Sequence, residues 1–376
     1  MKKTMIGLLI LLMLTGCSNT INKEGIYKVR ESGVIVNEPC SNSNIMDVAS
    51  TYTATPDFLW RYTESCDNLI LEDGYIMLEN PNESGTLITQ PWLLDSFNEL
   101  VPSWNILMGE ESSVSIMVSV GNSEGFSEFF IMSLWSKDYK ASFKNQEDDY
   151  AKVYIDTIVT KMDNVDRFKF KLVFKKDLDQ STRLKNVSIT SKPNDSIRAI
   201  DYDYINETSI EVSPRQQLSI EGIGNSICSP TSLSMILNYY GYTDSQSDVA
   251  GYIFDKGANI YGNWSFNASY AGGFGDIESH VEFIDNFNKL VDYINAQTPV
   301  ALSIKTRDKA SLEGSIMAYP SGHLVVLIGF EQIDGDWYAL VNDPAEYTDE
   351  NVLRKYKLEQ LLDAWNGYTY IIKSKN

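Results

Sequence analysis

Two kinds of hydrophobic periodicity divide this chain. From about residue 24 to 200, apolar residues recur at every second position, as in Val114-Ser115-Ile116-Met117-Val118-Ser119-Val120, in Phe168-Lys169-Phe170-Lys171-Leu172-Val173-Phe174, and through much of Phe129 to Trp135. Alternation of this kind turns one face of an extended strand to a core and the other to water. Turn residues punctuate the runs at Gly121-Asn122, Asp163-Asn164 and Asp177-Leu178-Asp179, and long helical patterns are absent. Many short strands with turn signals predict an all-β sandwich of jelly-roll-like type over residues 24–200. The segment Ile189 to Ser196 reads as the linker, and the chain from there to Glu211 as the crossing into a second domain, residues 201–376.

In that second domain the pattern changes. Leu233, Ile236, Leu237 and Tyr240 follow helical spacing and Gly241 ends the run. Leu324 to Phe330 is a buried strand, and after Asp334-Gly335 a second apolar run, Trp337 to Asn342, stops at Asp343-Pro344. Mixed helix and hairpin make this part α+β.

Chemistry gathers on those elements. Cys228 precedes the helix, with Pro230 in its first turn, so its sulfur sits where unpaired N–H groups and the positive dipole end favour a thiolate. Read alone, it is as readily a buried structural cysteine. The chain has only two histidines, and His323 opens the buried strand. If the hairpin loop is three residues centred on Asp334, Asp343 falls opposite Val325. That places it on His323's face, roughly 7–8 Å away between backbones. A two-residue Asp-Gly loop shifts the parity and sends them to opposite faces. A thiol, an imidazole and a carboxylate in this row hold a thiolate ready for a carbonyl while the acid fixes the imidazole tautomer. His280, the other histidine, lies in an acidic stretch that reads as surface helix. Gln217, a short loop before Cys228, reads on spacing alone as a solvated glutamine. Its amide is also the right group to join the Cys228 backbone N–H in holding an oxyanion.

Residues 213–372 resemble the cysteine peptidase family 39-like proteins of the papain clan, relatives of the double-glycine leader peptidases that mature bacteriocins. The resemblance rests on Arg215-Gln216-Gln217, Cys228-Ser229-Pro230-Thr231-Ser232, Tyr261-Gly262-Asn263-Trp264-Ser265-Phe266-Asn267, Gly322-His323 and Asn342-Asp343-Pro344-Ala345. It extends forward through Leu100 to Asn105, Ser133 to Ser136 and Val153 to Thr157. It implies a papain-like catalytic domain with Cys228 as nucleophile, His323 as base, Asp343 as third member and Gln217 as oxyanion residue. Unlike the leader peptidases, this chain has no Walker-type lysine loop and no internal transmembrane span. Trp264 and Asn267, in the Gly- and aromatic-rich stretch, either line the substrate cleft or belong to a structural loop.

The N-terminus sets the expected location. Lys2 and Lys3 precede an apolar run from Met5 to Leu14, and Leu14-Thr15-Gly16-Cys17 resembles a bacterial lipobox. Residues 1–16 read as a signal peptide and Cys17 as the lipidated first residue, with a short tether to residue 23. The chain is then lipid-anchored on the extracytoplasmic face of a bacterial membrane. Outside the cytoplasm, Cys40 and Cys66 are candidates for a disulfide, which leaves Cys228 as the odd, reactive thiol.

Composition removes several classes. A 43% hydrophobic fraction is ample for packed cores, and the formal charge of −20 repels nucleic acid. Asp177/Asp179 and Asp244/Asp248 lack the glycine and distal glutamate of a calcium loop, and no His/Cys cluster suits zinc, so neither metal nor cofactor is expected. Trp60, Trp92, Trp104 and Trp135 read first as core or inter-domain anchors and second as sugar-stacking residues of a cell-wall glycan module. The expected function is hydrolysis of peptide bonds in a peptide or protein substrate. The alternatives are a cell-wall peptide amidase or transpeptidase on the same fold, and a catalytically silent binding lipoprotein.

Overall fold

A computed structural model describes residues 27–28, 51–194 and 201–375. Cys17 and Cys40 lie outside the described residues, as do the stretches expected to be signal peptide and tether.

The alternating runs form two sheets packed face to face. One sheet holds Trp92–Leu93, Arg167–Phe174, Ser113–Asn122, Phe130–Ser136 and Lys140–Ala141 in that order, and the other holds Ala151–Tyr154, Thr157–Thr160, Phe97–Leu107, Arg183–Pro193, Tyr75–Leu78 and Leu69–Glu72. Phe168, Phe170, Leu172 and Phe174 are fully buried and face Val114, Ile116, Val118 and Val120 across the ladder or beside it. Each such side chain contributes roughly 1.5–3 kcal/mol by leaving water. The polar partners turn outward, where Lys169 pairs with Glu64 at 2.5 Å. The connections pass repeatedly between the sheets, as from Phe97–Leu107 to Ser113–Asn122 and from Arg167–Phe174 to Arg183–Pro193.

Residues Ile189 to Pro193 are not a linker. They complete the strand Arg183–Pro193, with Ile189 fully buried and paired to Pro102. The lysine, proline and asparagine in this stretch look like loop chemistry, but the strand has a second cover that the sequence does not announce. The Thr190 hydroxyl accepts the N–H of Phe283 from the next domain at 2.9 Å.

That domain is built on a seven-stranded antiparallel sheet: Ile277–Phe283, Trp365–Ser374, Val300–Ile304, His323–Ile333, Asp336–Asn342 and Leu353–Lys357, with Thr208–Ser209 added beside His323–Ile333. Helices Cys228–Tyr239, Gln246–Ile253 and Trp264–Gly272 accompany it. The chain is thus an all-β sandwich followed by an α+β domain. His280 lies on the edge strand Ile277–Phe283 rather than on a surface helix. Its neighbours Ile277, Ser279, Val281 and Phe283 are buried at period two, a pattern that the glutamates between them obscure. Buried Glu282 pairs with Lys289 at 2.5 Å.

Three of the four tryptophans are anchors. Trp92, Trp104 and Trp135 are essentially unexposed, and Trp104 and Trp135 both pack edge-on against Phe266 of helix Trp264–Gly272. Trp60 alone of the four is exposed, at 38%. The acidic pairs have structural partners: Asp248 closes a capping box with Ser245, Asp244 accepts from the Tyr270 hydroxyl, and Asp177 accepts the Thr182 N–H. No helix among the described residues is long and apolar enough to cross a membrane.

Candidate active site

Helix Cys228–Tyr239 begins at Cys228 with no side-chain cap on its N-terminus. Its first N–H groups are therefore open to the sulfur, and the Ser229 N–H from the helix, with the Leu324 N–H from strand His323–Ile333, favours the thiolate. The helix is buried from Ser229 to Leu237, and its register against strand His323–Ile333 is pinned where the Ser232 hydroxyl donates to the Leu324 carbonyl at 3.0 Å. This tie brings the start of the helix to the start of the strand, and so Cys228 to His323.

The third member arrives by an unexpected route. The hairpin loop has two residues, with Ile333 paired to Asp336 and both Asp334 and Gly335 at positive φ, 50° and 91°. This is the tight Asp-Gly turn that fits the strand twist. Alone it would place Asp343 on the wrong face. A bulge restores the parity: Leu327 pairs with Val341 but Gly329 with Leu340, so Ile328 is an extra residue. Val326 then faces Asn342, and Asp343 follows opposite Val325, on the side of His323. Asp343 Oδ1 lies 2.7 Å from His323 Nε2.

Both groups are almost fully buried, at 4% and 2% exposure, which makes their pairing decisive for charge. Burial works against the imidazolium, yet the Asp343 carboxylate and the neighbouring Cys228 outweigh it and raise His323 to about 10. Burial likewise opposes the Asp343 anion, but His323 and the Tyr356 hydroxyl hold it down at about 2. The Cys228 thiol is lowered: desolvation resists, and the hydrogen bond and charge of His323 overcome it. With Nε2 committed to Asp343, Nδ1 is the ring nitrogen left for sulfur. The arrangement favours a thiolate beside an imidazolium.

Two tyrosines complete the carboxylate's shell. Tyr319 and Tyr356 donate their hydroxyls to Asp343 Oδ2 at 2.9 and 2.6 Å, and the Tyr319 ring stacks on His323 with centroids 4.0 Å apart and planes 12° from parallel. The Ala345 N–H adds a bond to Oδ1 at 2.9 Å. Sequence reasoning missed both tyrosines. Tyr356 carries a faint signal as the one buried aromatic among Arg354, Lys355 and Lys357, whereas nothing around Tyr319 announces its role.

Gln217 is buried rather than solvated, at 4% exposure. Its backbone N–H donates to the Pro344 carbonyl at 2.8 Å, its Nε2 donates to the Gly224 carbonyl at 2.6 Å, and its Oε1 has no partner among the described residues. It is tied on one side to the segment carrying Asp343 and on the other to the turn before Cys228. A second Nε2 hydrogen remains to be donated.

Cys228 opens on a cleft of about 730 Å³ whose walls include Ile223, Ile260, Tyr261 and Trp264. Trp264 is therefore a cleft residue, packed on Tyr368 at 4.5 Å. Asn267 is not. It is fully buried within the same helix and donates to the carbonyls of Tyr261 and Asn263 at 2.9 and 2.8 Å, holding the loop from behind. The two are three residues apart on the same helix face, and what separates them is depth: Asn267 is fully buried whereas Trp264 is partly exposed. Cys66 is exposed on strand Thr63–Asp67 of the sandwich, and its proposed partner Cys40 lies outside the described residues.

Residues 209–372 match the model of the Peptidase_C39 like family, and residues 78–191 match that of the Peptidase C39 N-terminal domain. Among solved structures, the chain is similar to one described as a C39-like peptidase from Bacillus anthracis, at 19% identity and a TM-score of 0.35, covering 45% of this chain and all of that one. It is similar also to a double glycine motif protease from an AMS/PCAT transporter, solved in complex with the leader peptide. There the identity is 18% and the TM-score 0.30, over 45% of this chain and 96% of that one. No curated protein matches the chain.

Proposed function

We propose that this chain, which over residues 209–372 belongs to the Peptidase_C39 like family, is a cysteine peptidase whose nucleophile, base and orienting acid are Cys228, His323 and Asp343. The observation that carries this reading is the buried hydrogen-bonded row itself, in which a lowered thiol, a raised imidazole and a lowered carboxyl account for one another.

In the proposed mechanism the Cys228 thiolate attacks the peptide carbonyl carbon, forming the C–S bond and moving the carbonyl π electrons onto oxygen. The Cys228 backbone N–H and the free Nε2 hydrogen of Gln217 hold that oxyanion. As the C–N bond breaks, His323 gives its Nδ1 proton to the departing amine, and the acyl group stays on sulfur. Neutral His323 then takes a proton from water, whose oxygen attacks the thioester. The carboxylic acid departs and the thiolate–imidazolium pair is restored. Asp343, held by Tyr319 and Tyr356, stabilises the cationic stage and keeps the ring oriented.

The rate of Cys228 alkylation by iodoacetamide against pH tests the reading. The expected rate stays high well below the free-thiol pKa of about 8.5 and falls at low pH only as the thiolate protonates. In His323→Ala it collapses at neutral pH. Profiles that rise only near pH 8–9 in both proteins would refute the ion pair.

The lipid anchor is a separate part of the proposal, supported by Leu14-Thr15-Gly16-Cys17 and its basic, apolar lead. It puts the peptidase on the extracytoplasmic face of the membrane. An intact mass showing an unmodified Cys17 in the membrane fraction would remove it.

A further inference from the structure

The cleft beside Cys228 has a wall that does not come from the peptidase domain. Ile155 and Asp156 line it, and they are the two-residue tip of the hairpin formed by Ala151–Tyr154 and Thr157–Thr160 in the sandwich. Ile155 has φ 61°, in the left-handed region where glycine is comfortable and a β-branched residue is not. Such a backbone costs on the order of 1–3 kcal/mol and persists where the surroundings impose it, most often at sites of function. Glycine would meet the same turn without strain, so an isoleucine here points to a use for its side chain, half-buried in the cleft.

Asp156 fixes the tip. Its carboxylate accepts the Trp264 N–H at 2.5 Å and the Thr157 hydroxyl at 3.2 Å. Trp264 is the first residue of helix Trp264–Gly272, where an acceptor meets both an unpaired N–H and the positive dipole end. The sandwich also grips the loop before that helix. Asp255 accepts the backbone N–H and hydroxyl of Ser142 at 3.0 and 2.6 Å, and the Lys256 N–H donates to the Lys140 carbonyl at 2.9 Å. At Gly257 a β-carbon would stand 1.8 Å from the Ser142 carbonyl oxygen. The loop that carries Ile260 and Tyr261 into the cleft is thus set against the sandwich at several points.

We propose that this hairpin tip is a specificity element of the peptidase site: Ile155, with Ile260, Tyr261 and Trp264, forms a subsite for an apolar substrate side chain, and Asp156 is the positioning residue that holds Trp264. The sandwich then selects substrate directly rather than merely carrying the catalytic domain. This inference rests on Cys228 being the cleft's nucleophile, and its test is kept apart from the test of that reading.

Peptidyl chloromethyl ketones that differ at one residue, Leu or Phe against Asp or Lys, report the subsite through their rates of labelling Cys228 in the full chain. Selectivity is the ratio of rates within one protein, so changes in thiol reactivity cancel. The expected wild-type preference for the apolar probes is about tenfold, the scale of one hydrophobic contact in a pocket. In Ile155→Gly it falls to about threefold or less. Glycine relieves the turn, so the unfolding midpoint should not drop. Ile155→Asn, which also tolerates this φ, is the second variant should the first fold poorly. Equal preference in wild type and variants, or no preference in the wild type, would overturn the proposal. An ordinary-thiol titration with iodoacetamide would instead sink the nucleophile reading, whatever the probe ratios.

Discussion

A carboxylate at 2% exposure survives as an anion only if its lone pairs are used, and Asp343 uses them on His323, Tyr319, Tyr356 and the Ala345 N–H. Its pKa lies at about 2, below the ordinary carboxylate value near 3.9. The stability it contributes is therefore present above that ordinary value and lost as pH falls through about 2. His323 is the mirror case. Its pKa of about 10 exceeds the unfolded value, so its contribution is full below about 6.5 and lost as pH rises through 10. Tyr356→Phe removes one donor to the anion. The expected cost is about 1.5–3 kcal/mol at pH 7, read by urea denaturation, with acid unfolding moving to higher pH because Asp343 is less well held. An unchanged acid limb would mean that the tyrosine supports only packing. Cys228, His323 and Asp343 were legible because each stands at an element boundary that local pattern marks. The tyrosines were not, because a hydroxyl's partner across a sheet leaves no trace at either end in sequence.

Within elements, the hairpin shows how one residue decides a site. The Asp334-Gly335 turn and the pairing of its strands follow from local chemistry. The bulge at Ile328 does not, because it exists for a third strand. The Ile328 carbonyl accepts the Ile210 N–H at 2.7 Å, and Thr208–Ser209 presses on Gly329, where a β-carbon would lie 2.1 Å from the Thr208 oxygen. Gly329→Ala is expected to push this strand away, cost about 1–3 kcal/mol by overpacking, and speed amide exchange at Ile210. Unaltered exchange there would show that the contact is slack. The same third strand begins the second domain, so the bulge that aligns Asp343 is read from the chain's route out of the sandwich.

At the scale of the whole molecule, the two domains share one buried interior. Asn105 makes a reciprocal pair with Ser279, donating to its carbonyl at 2.7 Å and accepting its N–H at 3.0 Å. The Lys185 ammonium, 8% exposed, donates to the carbonyls of Gly272, Phe274 and Ile277 at 3.1, 2.6 and 2.6 Å, closing the end of helix Trp264–Gly272 from the sandwich side. A long buried cation with three carbonyl acceptors replaces the missing turn of that helix. Lys185→Met should lower stability on the order of 3 kcal/mol by leaving these acceptors short of donors. The wild type should unfold in a single transition seen alike by fluorescence and far-ultraviolet dichroism. Two separated transitions in the wild type would show that the interface does not couple the domains.

The sequence by itself determined the strands of the sandwich, the helix that starts at Cys228, the strand that starts at His323 and the class of chemistry their order suggests. Those features depend on periodicity and on capping and turn residues a few positions apart, which any local stretch of chain displays. Tertiary structure alone decided that Ile189 to Pro193 are strand, that Asn267 is buried beneath the cleft loop, that Tyr319 and Tyr356 hold the Asp343 carboxylate, and that the sandwich reaches the cleft beside Cys228 through Ile155 and Asp156. Each of these depends on what covers a residue from a segment distant in the chain, and burial by a distant partner is a property of the packed molecule, not of the order of its residues.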